Sequence, residues 1–102
     1  MSILGEKLSK QDIKKILKEH KDILNKYKVR TIGLFGSYVR GDQQDKSDLD
    51  ILVEFESPVG FFKFLEIEEY LEEITGIKVE LVTKKALKPR IGEYILREVV
   101  NI

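Results

Sequence analysis

Apolar residues recur along this chain with two different periods, and each period predicts a different kind of element. Spacings of three and four residues, typical of one apolar helix face, follow Ser9 as far as Lys28 and return over residues 60–75. A third stretch begins near Pro89, a residue favoured in the first turn of a helix. The pattern predicts three amphipathic helices, the last of which is expected to turn three apolar side chains inward: Ile91, Ile95 and Val99.

Short runs rich in β-branched residues lie between these helices and predict strands. They cover Val29–Phe35, Leu49–Phe55 and residues 78–82. Between the first two strands, the sequence predicts a single helical turn at 38–41 and a polar loop at 42–46. The order of elements predicts an α/β (α+β) fold, with a small mixed sheet of three to four strands flanked by helices.

Two predicted helix ends carry recognisable capping residues. Ser9 precedes the first helix, and Asp12 three positions later gives an approximate capping box. Gly76 directly follows the second amphipathic stretch, where a left-handed glycine commonly ends a helix.

Composition narrows the class of protein. With 102 residues, 42% of them hydrophobic, the chain has room for one domain over residues 1–102 and a modest core. It has no cysteine, which excludes disulfide frameworks and thiolate zinc sites. No apolar run approaches the ~20 residues of a membrane span, and no signal segment is recognisable. We therefore expect a cytoplasmic protein without a membrane partner.

The charge balance disfavours nucleic acid as a direct substrate. Eighteen basic and eighteen acidic residues cancel, so the field of the whole chain does not attract a polyanion. The charges form blocks, mostly basic over 10–30, acidic over 54–73 and basic again over 78–90. Such blocks are most simply explained as solvated helix faces.

Three carboxylates occupy strand positions where acidic residues are uncommon. Asp48 and Asp50 are two positions apart at the start of the second strand, so both side chains project to the same face. Glu80 lies inside the third strand, between Val79 and Leu81. If these strands pair, the three carboxylates converge, and such a cluster needs cations to neutralise it. Mg²⁺ prefers carboxylate and phosphate oxygens, and two ions would clamp an in-line phosphoryl displacement.

Directly after the first strand comes the segment GSYVRG (36–41), a candidate phosphate site. Gly36 lets the backbone approach a phosphate, and Ser37 offers a hydroxyl beside the free N–H groups of the following turn. Arg40 has two interpretations, a contact to phosphate or a structural ion pair with Asp42 or Asp45. Taken singly, a Gly-Ser turn or an Asp-x-Asp pair is commonplace, but their combination at this spacing arises by chance in roughly one chain in 10⁵.

GSYVRG followed by SDLDILVEF resembles the signature of the DNA polymerase beta-type nucleotidyltransferase superfamily, and in particular of its minimal nucleotidyltransferase (MNT) family. The resemblance extends over about residues 31–100 and implies the nucleotidyltransferase fold, which agrees with the predicted order of elements. It also implies ATP as substrate and Mg²⁺ as cofactor.

The same resemblance assigns roles to individual residues. It implies that Gly36 and Ser37 bind the triphosphate and that Asp48 and Asp50 bind catalytic metal. The third carboxylate of the family falls on Glu80, where many members carry aspartate.

The resemblance further implies a partner and an acceptor. Members of this kind resemble the antitoxin of a two-gene module whose toxin is an all-helical HEPN-domain ribonuclease, and they transfer AMP from ATP to a tyrosine of that toxin. Two other functions stay open. One is a nonenzymatic nucleotide- and metal-binding antitoxin that blocks its toxin by contact alone; with either kind of antitoxin, a hetero-oligomer with the toxin is expected. The other is a small-molecule nucleotidyltransferase of the aminoglycoside-modifying kind, active as an oligomer.

Overall fold

Helices and strands alternate over residues 8–44 and 46–102, the part of the chain that the computed structural model describes. In chain order the elements are α1 (Lys10–Glu19), α2 (Lys21–Lys26), β1 (Val29–Phe35), α3 (Ser37–Arg40), β2 (Leu49–Phe55), α4 (Phe61–Thr75), β3 (Val79–Thr83), a 3₁₀ turn (Lys84–Ala86), α5 (Pro89–Glu98) and β4 (Val100–Asn101). A bilayer-crossing helix is absent from these residues, since their longest helix, α4, has 15 residues.

The strands form one mixed sheet in the order β3-β2-β1-β4. β2 pairs antiparallel with β1 and parallel with β3, while β4 adds a short antiparallel edge to β1. The parallel β2–β3 pair requires a crossover connection, which α4 supplies. The predicted fold class, a small mixed sheet flanked by helices, is confirmed.

The two faces of the sheet differ in chemistry because side chains alternate along each strand. One face carries Phe35, Asp50 and Glu80, which are aligned across β1, β2 and β3. The other face is apolar and packs on α1 and α4 to form the core, whose members include Ile13, Leu17, Leu34, Ile51, Val53, Ile67, Leu71 and Leu81. The carboxylates therefore lie on the face that this core leaves free.

The outer edge of β3 is closed by side chains of α4. Glu72 Oε2 accepts a hydrogen bond from Val79 N–H (2.9 Å), and Glu68 Oε2, one helical turn earlier, accepts one from Leu81 N–H (3.1 Å). Without them, this edge would offer unpaired N–H groups to another chain. The two bonds flank Glu80 along the strand and so fix β3 beside β2 at this carboxylate.

The first predicted helix is present but interrupted. The capping box of Ser9 and Asp12 is confirmed. At His20 the helix breaks into α1 and α2, where a single helix up to Lys28 was predicted. The ring Nδ1 of His20 lies 2.8 Å from the Ile16 carbonyl oxygen. This oxygen also accepts a hydrogen bond from the backbone N–H of His20.

The last helix does not bury its apolar stripe, and the prediction that Ile91 is turned into the interior is wrong, because this side chain lines an open space. Ile91 is 61% exposed, and Ile95 and Val99 are only partly buried. The sheet face beneath α5 carries Asp50 and Glu80, and a helix packed closely over two carboxylates would remove them from water at a high cost. An open space therefore separates the stripe from the sheet.

Candidate active site

Asp50 and Glu80 face each other across the parallel β2–β3 pair. They are partners in the strand register, so their side chains project from the same face of the sheet. The two carboxyl groups are close enough to share a hydrogen bond, which requires one proton between them. The pairing of β2 with β3 thus brings together two of the three carboxylates that the sequence singles out.

The surroundings of Asp50 favour its protonated form. They raise the pKa of Asp50 to about 6. Burial is the largest cause, followed by the charge of Glu80, the hydrogen bond between the two groups and the charge of Asp48. Arg40 opposes this effect weakly. A cation bound beside Asp50 would relieve the repulsion, so the site is electrostatically suited to one.

Asp48 stands apart from this pair. It precedes β2, is half-buried, and acts on Asp50 through its charge. Within residues 8–44 and 46–102, no three or more Asp, Glu, His or Cys side chains gather closely enough to hold a metal ion. The convergence expected of three carboxylates is therefore seen for Asp50 and Glu80 alone.

The turn after β1 packs against Asp50. Gly36 has a φ of +81°, in the left-handed region that favours glycine, and a Cβ built there would overlap Oδ2 of Asp50. Ser37 begins α3, and its carbonyl oxygen accepts hydrogen bonds from the N–H groups of Gly41 (2.9 Å) and Asp42 (3.2 Å), which close the turn. The candidate phosphate turn and the carboxylate pair are therefore direct neighbours.

Glu98, in the last turn of α5, binds this turn and was not predicted as a site residue. Its Oε2 accepts a hydrogen bond from Gly36 N–H (3.0 Å), and its Oε1 accepts one from Arg40 Nη1 (2.9 Å). A carboxylate thus occupies the place at which two expected phosphate donors point. The sequence offers one signal, because Glu98 continues the helical stripe of Ile91 and Ile95 and places a charge where an apolar residue is expected.

Arg40 pairs with two carboxylates. Besides Glu98, its Nε contacts Asp42 Oδ2 at 3.3 Å. These partners raise the pKa of Arg40, so the guanidinium keeps its charge. Of the two ion-pair partners considered for it, Asp42 is found, and Asp45 lies outside the described residues. A contact from Arg40 to phosphate stays a prediction.

We expect the free energy of unfolding of the nucleotide-free protein to fall as the pH rises from about 4 to about 7. The pKa of Asp50 is about 6 in the folded state against 3.8 ordinarily, so its stabilising effect is complete below the unfolded pKa and is lost as the pH passes the folded one. Since Asp50 is partly solvated, the loss is on the order of 1 kcal/mol. Urea unfolding in chelator-treated buffer measures it. Asp50→Asn cannot titrate, and a difference in stability from the wild type that does not vary with pH would contradict the shift.

Removing the Glu98 side chain is expected to destabilise the fold. Glu98→Ala should lower the free energy of unfolding by about 1.5–3 kcal/mol, the range for a hydrogen bond to a charged group, because Gly36 N–H loses its acceptor in a half-buried position. Asp42→Ala is the matched control, since Asp42 is the other carboxylate on Arg40 but its side chain is 62% exposed. Chemical denaturation compares the two variants, and equal losses would argue against the bond to Gly36.

Residues 11–101 match the protein family described as the nucleotidyltransferase domain. The match includes both the turn at 36–41 and the strands that hold Asp50 and Glu80. The chain belongs to this nucleotidyltransferase family. The resemblance seen in GSYVRG and SDLDILVEF is confirmed, and so is the class of enzyme, a nucleotidyltransferase.

Individual nucleotidyltransferases resemble the chain over most of its length. The protein adenylyltransferase MntA of Thermococcus cleftensis is 48% identical over 96 residues, which cover 93% of this chain and 97% of that protein. A solved structure assigned as a minimal nucleotidyltransferase has a TM-score of 0.82 and 26% identity, covering 96% of this chain and 100% of that one. A toxin-antitoxin structure with AMP-PNP has a TM-score of 0.68 and 24% identity, covering 92% of this chain and 72% of that one, a likeness of fold alone.

Proposed function

We propose that this nucleotidyltransferase is a protein adenylyltransferase antitoxin, which transfers AMP from ATP to a tyrosine hydroxyl of a cognate HEPN-type toxin with Mg²⁺. The observation that carries the proposal is the packing of Gly36 against Asp50, itself paired with Glu80, because phosphate donors and carboxylates then meet at one end of the sheet. The relative named a protein adenylyltransferase supports a protein acceptor. The toxin-antitoxin structure with AMP-PNP is in keeping with a toxin partner and an adenine nucleotide.

The turn after β1 is proposed to bind the triphosphate. Gly36 supplies a backbone N–H, Ser37 a hydroxyl and Arg40 a positive charge with planar donors. Glu98 accepts hydrogen bonds from Gly36 and Arg40 in the nucleotide-free chain. Triphosphate binding therefore exchanges a carboxylate for phosphate oxygens at the same donors.

Asp48, Asp50 and Glu80 are proposed to hold Mg²⁺, in two ions. The donors are all oxygens, as Mg²⁺ prefers, and the crowding of anions that raises the pKa of Asp50 is what a cation would relieve. That only Asp50 and Glu80 lie side by side suits this ion, because Mg²⁺ is usually held by one or two carboxylates plus substrate phosphates. Bound there, it would neutralise charge on the phosphate that is transferred.

The transfer forms a bond from the acceptor oxygen to the α-phosphorus of ATP and breaks the bond from that phosphorus to the oxygen of the leaving pyrophosphate. The proton of the hydroxyl passes to a carboxylate of the Asp50–Glu80 pair, which lies on the side of the sheet from which the acceptor is proposed to enter. The donors of Gly36 and Arg40 stabilise the charge that develops on the pyrophosphate.

Mass spectrometry of the toxin after incubation with the protein, ATP and Mg²⁺ tests this function. The expected result is a gain of one or more AMP groups on tyrosine, lost when Asp50→Asn replaces the wild type. A complex that forms without any modification would support the contact-only antitoxin instead. Modification of an aminoglycoside but not of the toxin would support the small-molecule enzyme.

A further inference from the structure

An apolar groove opens beside the two carboxylates. A cavity of about 320 Å³ lies between α5 and the free face of the sheet, with Asp50 and Glu80 at its floor. Apart from Lys88, its remaining walls are apolar, and they include Phe35, Val82, Leu87, Ile91 and Ile95. A space of this size and character is typical of a small-molecule or side-chain subsite.

The groove leaves a large apolar side chain in water. Ile91 is 61% exposed although it lines the cavity. Covering such a side chain with a ligand removes apolar surface from water and favours binding. The wall is therefore complementary to an apolar group, and the floor to a hydroxyl that must give up its proton.

The order of the strands tells which reactant this groove faces. Because β1, β2 and β3 are consecutive in the sheet, the turn at 36–40, Asp50 and Glu80 lie in a row. In an in-line displacement, the attacking oxygen enters opposite the leaving group. If the pyrophosphate is held at the turn, the acceptor enters from the side of Glu80, and Val82 and Leu87 follow Glu80 along the chain on that side.

We infer that this groove is the acceptor subsite and that it takes an aromatic side chain bearing a hydroxyl, the tyrosine of a protein, with its ring against Ile91 and its oxygen at the carboxylates. The inference rests on the proposed function and adds to it the surface that selects the acceptor. A sugar hydroxyl, surrounded by other polar groups, would leave those groups facing apolar walls. A phenol presents one polar atom at the end of an apolar ring and matches both parts of the groove.

The inference is tested first by binding, with N-acetyl-L-tyrosinamide as the probe. In a ¹⁵N-labelled protein saturated with AMP-PNP and Mg²⁺, the probe is expected to shift the backbone amide signals of Leu87, Ile91 and Ile95. Ile91→Gln should weaken this binding at least about fivefold. Leu96→Gln is the matched control, because Leu96 is an apolar residue of the same helix, 49% exposed, that does not line the groove. N-acetyl-L-serinamide, which has the hydroxyl but no ring, should bind at least about fivefold more weakly than the tyrosine probe.

Three results would overturn the inference. The first is that the amide signals shifted by the probe belong to residues outside the groove. The second is that Ile91→Gln and the wild type bind the probe equally well. The third is that Ile91→Gln loses as much affinity for ATP as it loses for the probe. The last result would place the nucleotide base in the groove.

The same experiments distinguish failure of the proposed function from failure of the groove assignment. If the wild type binds the probe in the groove but never modifies the toxin, the proposed transfer is wrong and the aromatic-binding groove stands. If it modifies the toxin and Ile91→Gln has an unchanged KM for the toxin, the groove is wrong and the transfer stands.

Discussion

Replacing Asp50 with asparagine is expected to lower the rate of AMP transfer by about a thousandfold or more while the protein stays folded. Asp50 lies between the turn after β1 and Glu80, so in the proposed reaction its carboxylate would border both the bond that breaks and the bond that forms. The variant keeps the shape of the side chain and loses one anion, which weakens cation binding and removes a proton acceptor. Because the remaining carboxylates repel each other less, the free energy of unfolding should hold or rise at neutral pH.

Single-turnover transfer from labelled ATP, alongside thermal unfolding, measures both parts of this prediction. Asp22→Asn is the control, since Asp22 is an exposed aspartate in the first turn of α2. Asp48→Asn is expected to abolish transfer as well, although Asp48 lies farther from the pair. Near-normal transfer by Asp50→Asn would rule out a metal-dependent role for this carboxylate, and a large loss of stability would mean that its effect on transfer is indirect.

Gly36→Val is expected to abolish ATP binding and to destabilise the fold by several kcal/mol, since it combines a strained backbone with a steric overlap. Any Cβ at Gly36 meets the carboxylate of Asp50. The backbone also has a φ of +81°, which a β-branched residue adopts only at a cost. The physical reason differs from the one that the sequence suggests, because the new side chain displaces Asp50 before it reaches any phosphate.

A pair of alanine variants separates the two effects. Gly76, which ends α4, has a φ of +72° and no heavy atom within 4 Å of a built Cβ, so Gly76→Ala reports backbone strain alone. Gly36→Ala adds the overlap with Asp50. Calorimetric titration with ATP and Mg²⁺ is expected to show a loss of affinity in Gly36→Ala and none in Gly76→Ala. ATP binding by a folded Gly36→Val protein at wild-type affinity would show that the turn does not hold the triphosphate.

The parts of this fold that follow from local periodicity could be predicted from the sequence. β1 and β2 have the predicted bounds, because each is a short apolar run limited by turn residues. The alignment of Asp50 with Glu80 also follows from a local rule, since alternate residues share a strand face and only the pairing of two strands had to be assumed.

What the sequence did not predict depends on contacts between distant segments. The acceptor of Gly36 N–H lies 62 residues further along the chain, and no local pattern specifies such a partner. The exposure of Ile91 has the same cause, because the helical period identifies an apolar stripe but not whether the surface opposite it is apolar. The apolar stripe of α5 faces Asp50 and Glu80. This arrangement can be recognised only when the pairing of β2 with β3 and the position of α5 over them are known.

The bonds from Gly36 and Arg40 to Glu98 also set an order of events during synthesis. At about 5–20 residues per second, a ribosome needs roughly 3–12 seconds to make the segment between Gly36 and Glu98. From the synthesis of Asp50 until that of Glu98, the emerging chain contains the turn and both aspartates but lacks the carboxylate that binds Gly36 and Arg40. A product interrupted before α5 would therefore contain both recognisable motifs and still lack the two hydrogen bonds that tie the turn at 36–41 to the end of the chain.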